Sequence, residues 1–261
     1  MQLLYLYIDD FRTHKAREFN FDSNYRFTIE NRQLRLTRKH VVPREFFRVE
    51  EAAASHVDAV SAIIGENGTG KTSVAAFLNE ALANGIEKSR KFVCVLKVRQ
   101  KDLPELKGKE AGRSAFLCLD NLGPALDTKE LEEQRSGRWV TRHLRSEKSA
   151  NVLLFLDEAE TTLHPDFQRR LVETLTWYIE HFTSGLRVHL VFASHSPMLL
   201  SDIPKGNVVF LPTKRSPEAA EEQRQDFERL GNTFGANVYD LRGDVALRVC
   251  LGLERMRSLH R

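Results

Sequence analysis

The chain has 261 residues and 30.0 kDa, with 41% hydrophobic, 29% charged and 9% aromatic residues, a profile that excludes bulk disorder and collagen-like repeats. Net charge is +3, from 39 Lys+Arg against 36 Asp+Glu, so nucleic-acid contact is permitted but not argued for. Cys94, Cys118 and Cys250 lie far apart without CxxC spacing, which suggests neither a zinc ribbon nor a disulfide framework and makes a reducing cytoplasm the expected compartment.

In chain order, residues 3–8 form an apolar run that ends at Asp9 and Asp10, so neither a signal peptide nor a membrane span is expected there. Residues 25–30 and 34–37 alternate around Asn31-Arg32, a hairpin pattern. Residues 60–64 are a short apolar strand that stops at a glycine. From Thr72 a helix is predicted, because Val74, Phe77, Leu78, Ala81 and Leu82 recur at helical spacing and Asn84-Gly85 supplies a stop. Residues 92–98 and 115–119 read as strands separated by a charged segment, and the charge-dense stretch 129–148 reads as a solvated helix. Residues 152–156 read as a buried strand, followed by a helix with Phe167, Leu171, Leu175, Ile179 and Phe182 on one face. Strands 188–193 and 208–211 complete the series, and 214–230 reads as an exposed helix or linker. Strands alternating with helices predict an α/β fold with a largely parallel core.

Gly65-Glu66-Asn67-Gly68-Thr69-Gly70-Lys71-Thr72 fits G-x-x-x-x-G-K-[ST] at every fixed position. The glycines let backbone N–H groups turn inward around a polyphosphate, Lys71 offers a point charge, and the Thr72 hydroxyl suits Mg²⁺. The helix that starts there adds its positive end. ATP and Mg²⁺ are therefore the expected ligands. Strand 152–156 runs into Asp157-Glu158, one carboxylate for the metal shell and a neighbour to act as general base on water. Residues 116–119 run into Asp120, but Asn121 follows, so Asp120 reads as an ordinary strand end. His195 follows strand 188–193. In a parallel sheet the carboxyl ends of the strands open into one crevice, so His195 is expected to join Lys71 and Glu158 there.

These elements together resemble the ABC-like and SMC-head-like AAA-family ATPases, in particular those related to the overcoming-lysogenization-defect proteins and to the ATPases of retron and Septu-like antiphage systems. The resemblance rests on Gly65-Glu66-Asn67-Gly68, on Leu156-Asp157-Glu158-Ala159-Glu160 leading to Leu163-His164-Pro165, and on Ser194-His195-Ser196-Pro197. Flanking segments around residues 3–8, 19–21 and 233–241 extend it. It implies a P-loop NTPase fold: a mostly parallel ATP-binding sheet, an N-terminal antiparallel strand layer and a reduced helical insert. It divides the chain into a β layer (1–59), a Walker A lobe (60–100), a small insert (101–150), a lobe with the Walker B and switch-histidine elements (151–212) and a charged tail (213–261).

By that resemblance the chain is an ATPase that turns ATP and water into ADP and phosphate. Lys71 and Thr72 take the Walker A roles, Asp157 and Glu158 the Walker B roles, and His195 that of the switch histidine. Gln100, after a strand, is the candidate for the glutamine that contacts Mg²⁺ between the Walker motifs, with Gln134 the alternative. Gln134-Arg135-Ser136-Gly137 is a degenerate form of the signature that completes a partner's site. The implied assembly is a homodimer with ATP at its interface, acting beside a separately encoded nuclease or other effector, because the tail after Pro212 is too short for an attached nuclease domain. Antiphage defence or DNA maintenance is the expected setting. A nucleotide-binding interaction module with little turnover is the second reading. Basic clusters at 35–40 and 135–145 are interspersed with acids and read as solvated faces before they read as a DNA surface.

Overall fold

A computed structural model describes residues 1–39, 41–43, 46–48, 55–83, 91–99, 114–120, 122, 138–141, 151–213 and 216–229. Within these, the strands are β1 (Gln2–Phe11), β2 (His14–Asn20), β3 (Tyr25–Glu30), β4 (Gln33–Arg38), β5 (His56–Gly65), β6 (Phe92–Arg99), β7 (Ser114–Asp120), β8 (Arg138–Thr141), β9 (Asn151–Asp157), β10 (Arg187–Ser194) and β11 (Val208–Leu211). The helices are α1 (Lys71–Ala83), α2 (Pro165–Gln168), α3 (Leu171–Phe182), α4 (Pro197–Leu200) and α5 (Pro217–Arg229), with a 3₁₀ turn at Lys205–Asn207. None of the described helices is long and apolar enough to cross a membrane.

The strands form two main sheets and a hairpin. Four parallel strands run in the order β11-β5-β10-β9, and five others run β2-β1-β6-β7-β8, antiparallel except for the β7–β8 pair. β3 and β4 pair with each other through a turn in which Asn31 and Arg32 both take positive φ (48° and 66°), the left-handed geometry that matches the twist of a two-residue hairpin. The largely parallel core is thus confined to four strands. β6 and β7, expected within it, extend the other sheet instead: β6 pairs antiparallel with β1, and β7 antiparallel with β6.

Period-two alternation sorts the side chains into layers. On β5, Val60, Ala62 and Ile64 face one core with Leu190 and Phe192 of β10 and Val172 and Ile179 of α3. Ile63 and Val191 face the other way, toward Val74, Phe77 and Leu78 of α1 and Leu6, Ile8, Cys94 and Leu96 of the antiparallel sheet. α1 therefore lies between the sheets, and its spacing of apolar positions is what lets it fill that gap. The far face of the antiparallel sheet is covered by Phe27, Leu34 and Leu36 of the hairpin.

Two buried polar staples join the sheets. His189 Nδ1 accepts from the Leu3 N–H (2.9 Å), and its Nε2 meets Ser61 Oγ (2.9 Å), which itself donates to the Phe21 carbonyl (2.8 Å). Asn207 accepts from the Ser23 N–H at 2.8 Å and donates to the Val60 carbonyl at 2.9 Å. Each group is satisfied, as burial requires.

Three local expectations change. Arg138–Thr141, inside the stretch read as a charged helix, is a strand beside β7; Trp139-Val140-Thr141 has the β-branched and aromatic character that favours an extended chain. β9 is half-exposed rather than buried, with Leu154 exposed, because it is the outermost described strand of its sheet. The helix face drawn from Phe167 to Phe182 is interrupted: α2 and α3 are separate helices, broken at Arg169-Arg170. Within α3, Val172, Thr176, Ile179 and Glu180 are buried and Leu171 and Leu175 pack half-buried on the same core, whereas Phe167 and Phe182 are exposed.

Candidate active site

The glycine loop joins β5 to α1. Lys71 is buried, and its ammonium donates to the carbonyls of Gly65 (2.9 Å) and Glu66 (3.1 Å), which fixes a positive charge inside the curl of the loop. Thr69, also buried, closes the curl with its hydroxyl on the Glu66 carbonyl (2.8 Å). Asn67 and Gly68 are at the exposed tip, Gly68 with φ +82°. Two glycines are there for space. A Cβ on Gly65 would lie 2.5 Å from the Leu211 carbonyl oxygen. One on Gly70, at φ +106°, would collide with Thr13 Oγ1 and meet the His14 ring at 2.7 Å. That second contact brings the β1–β2 turn onto the loop, where His14 Nε2 donates to the Gly70 carbonyl at 2.9 Å.

Glu66 does not turn its side chain into the loop. Its carboxylate accepts from Gln223 of α5 (2.6 Å) and from the Thr213 hydroxyl (3.3 Å). Only its backbone faces Lys71. The polar segment 214–230 thus contains a helix that docks on the loop through buried Gln223.

Strand register delivers the remaining groups. Ile64 pairs with Ser194 across β5–β10, and Ala193 with Asp157 across β10–β9, so the three strands end level. β10 sits between the loop strand and the acidic strand. Thr72 Oγ1 donates to Asp157 Oδ2 at 2.7 Å, spanning that gap. Glu158 and His195 then face each other, with His195 Nδ1 3.6 Å from Glu158 Oε1. That is within ion-pair reach but too long for a hydrogen bond. Asp120 ends β7 in the other sheet and caps its own turn by accepting from the Leu122 N–H (2.8 Å).

Glu158 carries backbone strain. Its φ is +49°, a region that costs a non-glycine residue roughly 1–3 kcal/mol. Its N–H donates to the Ala193 carbonyl at 2.8 Å, which ties the strained turn to β10. Two residues on, Glu160 is buried and accepts from Ser194 Oγ. The sequence displays these groups, as a third carboxylate after Asp157-Glu158 and as serines flanking His195, but their pairing depends on β9 and β10 lying side by side. Thr13, His14, Thr213 and Gln223 have no local signal at all. Gln100, Gln134 and the 134–137 signature lie outside the described residues, as do 233–241 and most of the 135–145 basic cluster.

The donor set fits a polyphosphate with a hard divalent cation: one buried ammonium in a glycine loop at a helix start, and a hydroxyl and carboxylate oxygen already converging beside it. The fold and this loop define a P-loop nucleotide-binding domain. A family model for an AAA domain matches residues 55–196, more than half the chain, and the chain belongs to that family of ATP-binding P-loop proteins of the ATPase type. No curated protein matches the sequence.

Proposed function

We propose that the chain binds ATP with Mg²⁺ at Gly65–Thr72 and hydrolyses it to ADP and phosphate. The observation that supports this reading is the level ending of β5, β10 and β9, with Lys71 and Thr72, His195, and Asp157 with Glu158 following these ends as one cluster at the carboxyl edge of the parallel sheet. In it Lys71 and the loop amides hold the phosphates, and Thr72 and Asp157 hold the cation. Bound Mg²⁺ supplies charge neutralisation on the phosphate oxygens. Glu158 is the base that takes a proton from water, and His195 orients the Glu158 carboxylate or the phosphate beside it. The resemblance to nucleotide-gated heads supports a homodimer that works beside a separately encoded effector in antiphage defence or DNA maintenance.

Phosphate release by purified protein tests the chemistry. Lys71→Ala loses nucleotide binding, whereas Glu158→Gln keeps binding and stalls turnover. Unchanged release by Glu158→Gln overturns the assignment of the base. ATP binding without turnover in the unmodified protein replaces hydrolysis by the interaction-module reading. Sedimentation with and without ATP tests the assembly, and one monomer mass under both conditions removes the dimer.

A further inference from the structure

We propose that Glu160 is a positioning residue: by accepting a hydrogen bond from Ser194 it locks together the two loops that carry Glu158 and His195. The kinetic side of this rests on the hydrolytic reading above; the geometric side does not. Ser194 is wholly buried, and its single hydroxyl proton goes to Glu160 Oε1. Ser194 Oγ in turn accepts from the Ser196 N–H at 2.8 Å. Ser196 Oγ donates to Gln168 Oε1 (3.0 Å), and Gln168 Nε2 returns to the Glu160 carbonyl (3.1 Å). The ring is closed, and His195 is the residue between its two serines.

The arrangement is expensive as a purely structural device. Glu160 is 1% exposed, and its other oxygen, Oε2, is buried without a hydrogen-bond partner among the described residues. A buried carboxylate half satisfied in this way is poorer for stability than an apolar side chain of similar size. Its placement answers a different need. Glu158 sits in a left-handed backbone conformation, which persists only where the surroundings over-determine it. The Glu158 N–H bond to the Ala193 carbonyl fixes one side of that turn, and the Ser194–Glu160 bond fixes the other. With both in place the Glu158 carboxylate and the His195 ring are left opposite each other. With the second removed, each loop is free to move by the ångström or so that matters to a base and its partner.

Three variants test this, followed by phosphate release, nucleotide titration and the ¹⁵N resonances of the His195 ring. Ser194→Ala and Glu160→Ala are expected to lower kcat by about 10- to 100-fold while nucleotide affinity stays within about twofold, because the loop around Lys71 is untouched. Glu160→Gln keeps an oxygen that can accept from Ser194 and is expected to retain kcat within about threefold. The His195 ring signals move in both alanine variants and hold in Glu160→Gln. If Ser194→Ala turns over like the parent, or if Glu160→Gln falls as far as Glu160→Ala, the positioning role is wrong. If the parent protein does not hydrolyse ATP, the functional reading fails, but the ring resonances still decide: signals unchanged in both alanine variants overturn the proposal.

Discussion

Thr72 Oγ1 donates to Asp157 Oδ2 at 2.7 Å, although the two residues are 85 positions apart and β10 separates β5, which leads through the glycine loop to Thr72, from β9, which ends at Asp157. This bond marks where a divalent cation is expected, since a hydroxyl and a carboxylate oxygen are both hard ligands. Thr72→Ala should therefore weaken nucleotide binding about tenfold or more in Mg²⁺ and leave it unchanged in EDTA. Calorimetric titration in the two buffers checks it; an equal loss in both means that Thr72 does not act through the metal.

Strain at Glu158 makes a second prediction. At φ +49° a glycine meets no Cβ penalty, whereas a β-branched residue meets the largest. Glu158→Gly should match the parent in stability or exceed it by about 1 kcal/mol, and Glu158→Val should lose about 2 kcal/mol. Both should lack turnover. Urea denaturation separates the outcomes, and a glycine variant less stable than the valine variant contradicts a left-handed Glu158.

Gly70 is expected to be intolerant for two separable reasons. Its φ of +106° disfavours any side chain, and the β1–β2 turn occupies the space a Cβ needs. Gly70→Ala should cost about 2–3 kcal/mol. Adding Thr13→Ala removes the Oγ1 atom in the way and should recover only part of that loss, because the backbone component and the His14 ring at 2.7 Å both stay. Full recovery in thermal melts would mean that crowding alone excludes alanine.

How much of this was legible in the sequence follows from how local each feature is. The Asn31-Arg32 turn and the strand–loop–helix around Lys71 are dictated by residues a few positions apart, and the structure has both. Asp157, Glu158 and His195 were legible as strand-end residues, because a parallel sheet brings such ends together whatever the loops do. The bonds of Glu160 to Ser194, His14 to Gly70 and Gln223 to Glu66 were not, since each joins elements whose adjacency only the tertiary fold decides. β2 went unread because His14–Asn20 buries only His14 and Phe19 fully, and its extended form comes from pairing with β1. Of the predicted helix face, Leu171, Leu175 and Ile179 pack on the core as read. Phe167 falls in the separate α2, an interruption that periodicity across Arg169-Arg170 does not register, and Phe182 is exposed at the end of α3.

The His189 staple gives a pH dependence whose sign can be worked out. His189 is fully buried between the sheets, with Leu3 donating to Nδ1, so Nε2 carries the proton and donates to Ser61. Protonating Nδ1 would remove the acceptor for Leu3 and place a charge in the core. Desolvation, and next the positive amino terminus, push its pKa down to about 3. In the unfolded chain an ordinary histidine titrates near 6.5. Between these values the unfolded state binds the extra proton, so the contribution of His189 is fully present above pH 6.5 and is lost as pH falls toward 3. The loss is about 1.4 kcal/mol per pH unit within that window. His189→Asn keeps an acceptor for Leu3 without a titrating ring. It should lower stability at pH 7.5 yet close the gap with the parent as pH drops to 4.5. Urea denaturation across that range measures the difference, and a gap that stays constant would show that His189 is not what couples the two sheets to pH.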